Sequence, residues 1–194
     1  MKLPAEAVER FGDCMDAAIK AEEVEPTAMN LATIDGQGGV SARMVLMKSW
    51  DEDGFVFYTN TRSIKGRQLS RVPRAALVFY WPRSERQVRV EGPVEPVSDE
   101  EADAYFATRA RGSQLGAWAS DQSEPLESRA QLMKKVVELE LRHVGQRVPR
   151  PPYWSGYRVR PEMIEFWYGR RSRLHDRFRF TAQDGEWIRQ RLYP

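Results

Sequence analysis

Between Asn30 and Val97 the chain leaves little choice of fold, because β-rich runs alternate with short turn clusters. "NLATIDGQGG", "SARMVLMKSW", "DEDG" and "GFVFYTN" place turns at 35–39 and 51–54, the spacing of antiparallel hairpins. "RAALVFYW" and "RQVRVEGPVEPV" carry the meander to a fifth strand, with the polar helical candidate "SIKGRQLSRV" inserted just after "YTN". Ahead of the strands, Val8, Phe11, Met15, Ala18 and Ile19 recur at three-to-four spacing after Pro4, which predicts an amphipathic helix of about five turns packed on the sheet.

Beyond the meander, Ser98 and Glu101 form a capping box at the start of "SDEEADAYFATRARG", with Gly112 as the expected stop. A further helix is expected over 126–144, carrying Leu132, Val136, Leu139 and Leu141, with Arg142 and His143 in a last turn that suits cations. The Pro-rich "RVPRPPYW" reads as an extended connection, since "SGYRVRPEMIEFWYG", "RFRF" and "EWIRQRLY" resume strand character. Early strands, central helices and late strands predict a mainly β (α+β) fold, a compact barrel with helices against its outside. At 194 residues and 41% hydrophobic, one domain over 1–194 is expected.

The charge balance removes several classes of function. Thirty basic and 28 acidic residues leave a net +2, too little for a whole-protein field that would gather nucleic acid or anionic membrane. Any electrostatic function is local. A single cysteine, Cys14, excludes an internal disulfide, and with two separated histidines no metal site is expected. No apolar run approaches about 18 residues, and the charged N-terminus does not read as a signal peptide, so a cytoplasmic protein is expected.

Three clusters have the composition of anion sites. Lys48, Lys65, Arg43, Tyr58 and Thr59 combine a point-charge ammonium, a forked guanidinium and hydroxyls beside a helix N-terminus, a plausible phosphate cradle; the alternative is solvated surface. Gly36, Gly38 and Gly39 read instead as a hairpin turn, because no helix follows them. In "YFATRARGSQLGAW", Tyr105, Arg109 and Ser113 lie four apart and would share a helical face, or else form an aromatic anchor with a solvated arginine. In "SRLHDRFRF", Arg173, His175, Arg177 and Arg179 occupy alternate positions. A strand face so basic calls for an anionic ligand or a partner's carboxylates, or else marks a solvated edge strand.

Taken in order, "RMVLMK", "FYTN" with Lys65, "ERQVRVEG", "YFATRARGSQLGAWAS", the Gln122–Ser123 pair, "EFWYG" and "RLHDR" resemble the pyridoxamine 5'-phosphate oxidase family, from about Glu25 to the final "RLYP". The resemblance implies a split β-barrel homodimer with FMN at the subunit interface. It also implies oxidation of pyridoxamine or pyridoxine 5'-phosphate by O2 to pyridoxal 5'-phosphate, with hydrogen peroxide and, from the amine, ammonia as the other products. Carried over by position, Arg43, Met44, Val45, Leu46, Met47, Lys48, Tyr58, Thr59, Lys65, Gln87, Gln122, Ser123, Trp167 and Arg177 fall on FMN positions. Lys48, Tyr105, Arg109, Ser113, Arg173 and His175 fall on substrate positions, with Arg173 and His175 holding the pyridine for hydride transfer. Two departures accompany the match. Ile64 stands where the family often has Arg, so one FMN phosphate contact is expected to be lost unless Arg62 substitutes, and the chain opens beyond the family's basic N-terminal segment, so either substrate capture is weaker or the sequence is truncated. The competing readings are a split-barrel flavin oxidase or reductase of another pathway, such as a phenazine-type enzyme, and a non-catalytic flavin or pyridoxal-phosphate binding protein.

Overall fold

The first hairpin shows why these residues form a sheet. In a computed structural model that describes residues 1–194, β1 (Ala28–Ile34) buries Met29, Leu31 and Thr33 on alternate positions and pairs antiparallel with β2 (Val40–Asp51). Asp35 ties the connecting turn by accepting from the backbone N–H groups of Gln37 and Gly39, while Gly38 takes φ of 89°. Asp51 does the same for the turn into β3 (Gly54–Asn60), accepting from Asp53 and Gly54. Both turns lie where the sequence places them.

The barrel closes through six strands in the order β4–β1–β2–β3–β6–β5, with β4 (Arg74–Trp81) returning to β5 (Arg86–Pro96), and β6 spanning Trp154–Val159. Along its other edge β5 changes partner. Residues 86–91 pair with β7 (Met163–Tyr168) and residues 94–96 with β6. Gly92 sits at the switch, where a Cβ would run into the backbone carbonyl of Arg160. From β7 the sheet extends outside the barrel through β8 (Asp176–Gln183) and β9 (Glu186–Leu192).

Helix α1 (Ala5–Lys20) packs on the barrel as expected, but its buried stripe runs through Ala7, Phe11, Cys14, Met15 and Ala18, leaving Ile19 60% exposed. Phe11 is the anchor, edge-to-face with Trp50, Phe55 and Phe79 at centroid distances of 4.8, 4.8 and 5.2 Å. No helix is long and apolar enough to cross a membrane.

Four expectations are corrected. The strands do not continue as one meander to the fifth, because helix α2 (Ile64–Arg71) carries the chain across to the far side of β1, where β4 pairs, while β3 pairs with β6. The helix after Ser98 does not run to Gly112. Helix α3 (Asp99–Thr108) ends at Arg109, which is extended, and α4 (Arg111–Ala119) restarts at once with Gly112 inside it. The Gln114 amide donates to the Phe106 carbonyl at 3.0 Å, capping the first helix from the second, so the break is stabilised by a residue beyond it. Helix α5 spans Arg129–Arg142, shorter than 126–144, because Ser128 caps it by accepting from Gln131 N. Finally, Arg173 and His175 are not on a strand. A single 3-10 turn (Arg171–Arg173) precedes β8, with Ser172 and Arg173 both left-handed at φ 59° and 61°.

Candidate active site

One cavity of about 470 Å³ opens between the barrel wall and the α3–α4 break. From β2 it receives Met44, Val45, Leu46 and Lys48, and from β3 Tyr58 and Thr59. Lys65 of α2 (Ile64–Arg71), Gln122 and the helix-side residues Tyr105, Arg109 and Ser113 add further polar groups to the lining. Lys48 enters because β2 is irregular there: Met47 pairs with Phe57 and Ser49 with Val56, so Lys48 is the extra residue of a bulge. Bulges re-aim side chains in this way.

Lys65 is the most buried charge lining the cavity, 9% exposed. Its Nζ donates to Thr59 Oγ1 at 3.3 Å, Gln122 Oε1 at 3.1 Å and Ser63 Oγ at 3.5 Å, and none of these is anionic. Burial, then the nearby Arg43 guanidinium, pushes its pKa below the usual lysine range. The helix that presents it is capped by Ser63, whose Oγ accepts from Gly66 N. Gly66 is required, since a Cβ there would meet the backbone of Thr61. Arg43 stands behind the cavity lining, donating through Nη1 to Thr33 Oγ1 (2.6 Å) and Leu31 O (3.2 Å) and through Nη2 to Gln68 Oε1 (3.3 Å). Met47 points into the core, and Ser123 Oγ accepts from Ile64 N at 3.3 Å. Arg62 lies over the Tyr153 ring at 4.7 Å and lines a neighbouring cavity with Asp121 and Glu124, turned away from the cavity that holds Lys65.

The second cation is Arg109. Its guanidinium sits over Trp154 at 4.7 Å and Phe106 at 5.5 Å, with Nη1 buried and without a hydrogen-bond partner. Burial lowers its pKa. Tyr105 stacks on Tyr58 at 4.1 Å, and Tyr58 on Trp154 at 5.2 Å. Burial and the Glu101 carboxylate push Tyr58 up to about 12, so it remains a phenol. The cavity therefore offers two buried or half-buried cations and an aromatic floor, a donor set suited to phosphorylated aromatic molecules.

Gln87, Trp167, Arg173, His175 and Arg177 fall outside this cavity. Gln87 pairs with Trp167 and Trp167 with Arg177, so the three form one row across β5, β7 and β8 and share a face. Arg177 is answered within the chain: Glu165, 4% exposed, accepts from its Nε and Nη2 at 3.0 and 2.8 Å. Arg179, beside it, donates to Gln190 at 2.9 Å. The basic strand face thus has an internal carboxylate, while Arg179 Nε remains buried without a partner. His175 packs on Trp167 at 4.6 Å, and its Nδ1 accepts from Arg170 N at 3.1 Å, which leaves the proton on Nε2.

Trp154, Thr33, Gln68 and Glu165 escaped the sequence reading. Trp154 closes a Pro-rich connection and carries no periodic signal. Only Glu165, an acid between strand hydrophobics, offers a hint.

Comparison with known proteins places these features in context. Residues 15–147 match the family model described as pyridoxamine 5'-phosphate oxidase, and residues 154–194 match the pyridoxine 5'-phosphate oxidase C-terminal dimerisation region. A pyridoxine/pyridoxamine 5'-phosphate oxidase of Rubrobacter xylanophilus is 57% identical over 96% of this chain and 86% of its own length. That of Myxococcus xanthus is 54% identical over 99% and 93%. The crystal structure of PhzG from Burkholderia lata 383, in complex with tetrahydrophenazine-1-carboxylic acid, superposes with a TM-score of 0.93 at 32% identity, covering 98% of this chain and 94% of that one.

Proposed function

The chain belongs to the pyridoxamine 5'-phosphate oxidase family, and from that premise we propose that it acts as one FMN-binding split-barrel domain over residues 1–194, paired as a homodimer. It oxidises pyridoxine 5'-phosphate and pyridoxamine 5'-phosphate to pyridoxal 5'-phosphate with O2. Hydrogen peroxide is released in both cases, and with the amine one water enters and ammonia leaves. The observation that carries this reading is the pair of cations in one cavity, Lys65 and Arg109, neither answered by a carboxylate. Two phosphorylated ligands would supply the two missing anions.

Lys65, with Thr59 and Gln122 around it and Arg43 behind, fits the FMN phosphate. When bound, FMN supplies the two-electron acceptor. Lys48, Tyr105, Arg109 and Ser113 hold the substrate phosphate and so position the reacting carbon. Arg173 and His175 orient the pyridine ring, His175 donating from Nε2. Because these two, with Gln87, Trp167 and Arg177, lie outside the cavity, a second subunit would bring them to it. The match of 154–194 to a dimerisation region supports that arrangement. Kinship with PhzG raises a second reading, oxidation of an unphosphorylated reduced phenazine. Such an acid would bring a carboxylate rather than a phosphate to Arg109, so turnover separates the two readings: pyridoxine 5'-phosphate should reduce the flavin and the reduced phenazine acid should not.

Mass analysis of the flavin released from purified protein should find FMN, and pyridoxine 5'-phosphate should bleach its absorption under anaerobic conditions. Release of FAD alone, or no bleaching, would overturn the reading.

A further inference from the structure

We infer that Trp154 is a positioning residue that aims Arg109 and so sets the preference for a phosphorylated over an unphosphorylated ligand. The inference rests on the reading of this cavity as a phosphate site. Arg109 follows the last turn of α3 on an extended backbone, with no carboxylate paired to it and no acceptor for Nη1. A guanidinium in that position would ordinarily swing into water. What holds it is the indole of Trp154, 4.7 Å from the guanidinium carbon, with Phe106 on the same side at 5.5 Å. A π face attracts the cation but uses none of its N–H groups. Arg109 is therefore oriented and partly desolvated while its hydrogen bonds stay free for a phosphate, whereas a carboxylate in place of the indole would compete with the ligand.

Trp154 can do this because it is itself fixed. Buried at the start of β6, it packs edge-to-face on Phe106 at 5.0 Å and stacks on Tyr58 at 5.2 Å, within an apolar cluster that includes Leu115 and Val148. Tyr58 stacks in turn on Tyr105 at 4.1 Å. One rigid aromatic group thus supports both Arg109 and Tyr105.

The test is calorimetric binding of pyridoxal 5'-phosphate and of pyridoxal to the FMN-loaded protein, comparing wild type with Trp154→Leu, Trp154→Phe and Arg109→Ala. Trp154→Leu should weaken the phosphorylated ligand about tenfold and leave pyridoxal unchanged, with Trp154→Phe recovering most of the loss. Equal weakening of both ligands would mean that Trp154 only supports the fold and would overturn the inference. Where Arg109→Ala abolishes discrimination but Trp154→Leu keeps it, the inference alone falls. Where Arg109→Ala itself keeps discrimination, the reading of the cavity falls with it. If Trp154→Leu does not fold, fluorinated tryptophans placed at 154 retain the ring's shape while draining its π density. A stepwise loss of phosphate affinity with added fluorine supports the inference, and a flat series overturns it.

Discussion

Lys65 carries a charge where charge is unfavourable unless an anion meets it, and the chain provides only neutral oxygens. Lys65→Met should leave the flavin-free protein at least as stable to heat while weakening FMN at least tenfold, read by fluorescence titration. The sign of the pH effect follows from the lowered pKa. In the flavin-free protein the folded state binds fewer protons than the unfolded one between the lowered value and 10.5, so stability from this group rises with pH across that window. A bound phosphate favours the ammonium, so FMN affinity should fall as pH rises through the same range, and Lys65→Met should flatten that slope. For Arg109→Ala, loss of a charge-assisted hydrogen bond of about 1.5–3 kcal/mol should raise KM for phosphorylated substrate roughly tenfold to a hundredfold. FMN content should hold steady, and loss of flavin instead would assign Arg109 to the other ligand.

At the scale of single elements, short irregularities deliver the functional side chains. A bulge turns Lys48 toward the cavity, a helix break frees Arg109, and a left-handed pair before β8 sets Arg173. Helix α2 has only eight residues, so its cap matters. Ser63→Ala should cost about 0.5–2 kcal/mol in chemical denaturation and weaken FMN through displacement of Lys65. The turn before β8 is tested by stopped-flow flavin reduction. Arg173→Lys and His175→Asn should each slow it, since an ammonium does not reproduce a planar guanidinium. Arg179→Ala should leave it nearly unchanged, because Arg179 lies on the strand and pairs with Gln190. Equal small effects at all three positions would remove the role given to the turn.

For the molecule as a whole, the residues proposed for flavin and substrate fall in two regions. One lines or backs the cavity between β2, β3 and the helices, and the other is a row on β5, β7 and β8 with the turn beside it. A homodimer that joins the two should lose flavin when diluted to monomer. Sedimentation with absorbance at the flavin band checks this, and a monomer retaining one FMN per chain would refute the shared site.

The hairpins at 28–60, the N-cap at Ser98 and the clusters around Lys65 and Arg109 were legible in the sequence, because turn chemistry, capping and side-chain charge act within a few residues; the reciprocal half of the expected capping box is absent, since Glu101 turns to Tyr58 and Arg158. The alternation in "SRLHDRFRF" misled because period-two spacing does not reveal where a strand begins. Asp176 starts β8, and the left-handed backbone at Ser172 and Arg173 keeps the turn off the ladder. The break at Arg109 depends on Gln114 and Trp154, 5 and 45 positions away along the chain. Glu165 answers Arg177 only because β7 and β8 pair in one register. Local rules therefore set which elements form and which groups carry charge, while packing between distant segments decided which charges are answered inside the chain and which are left for a ligand.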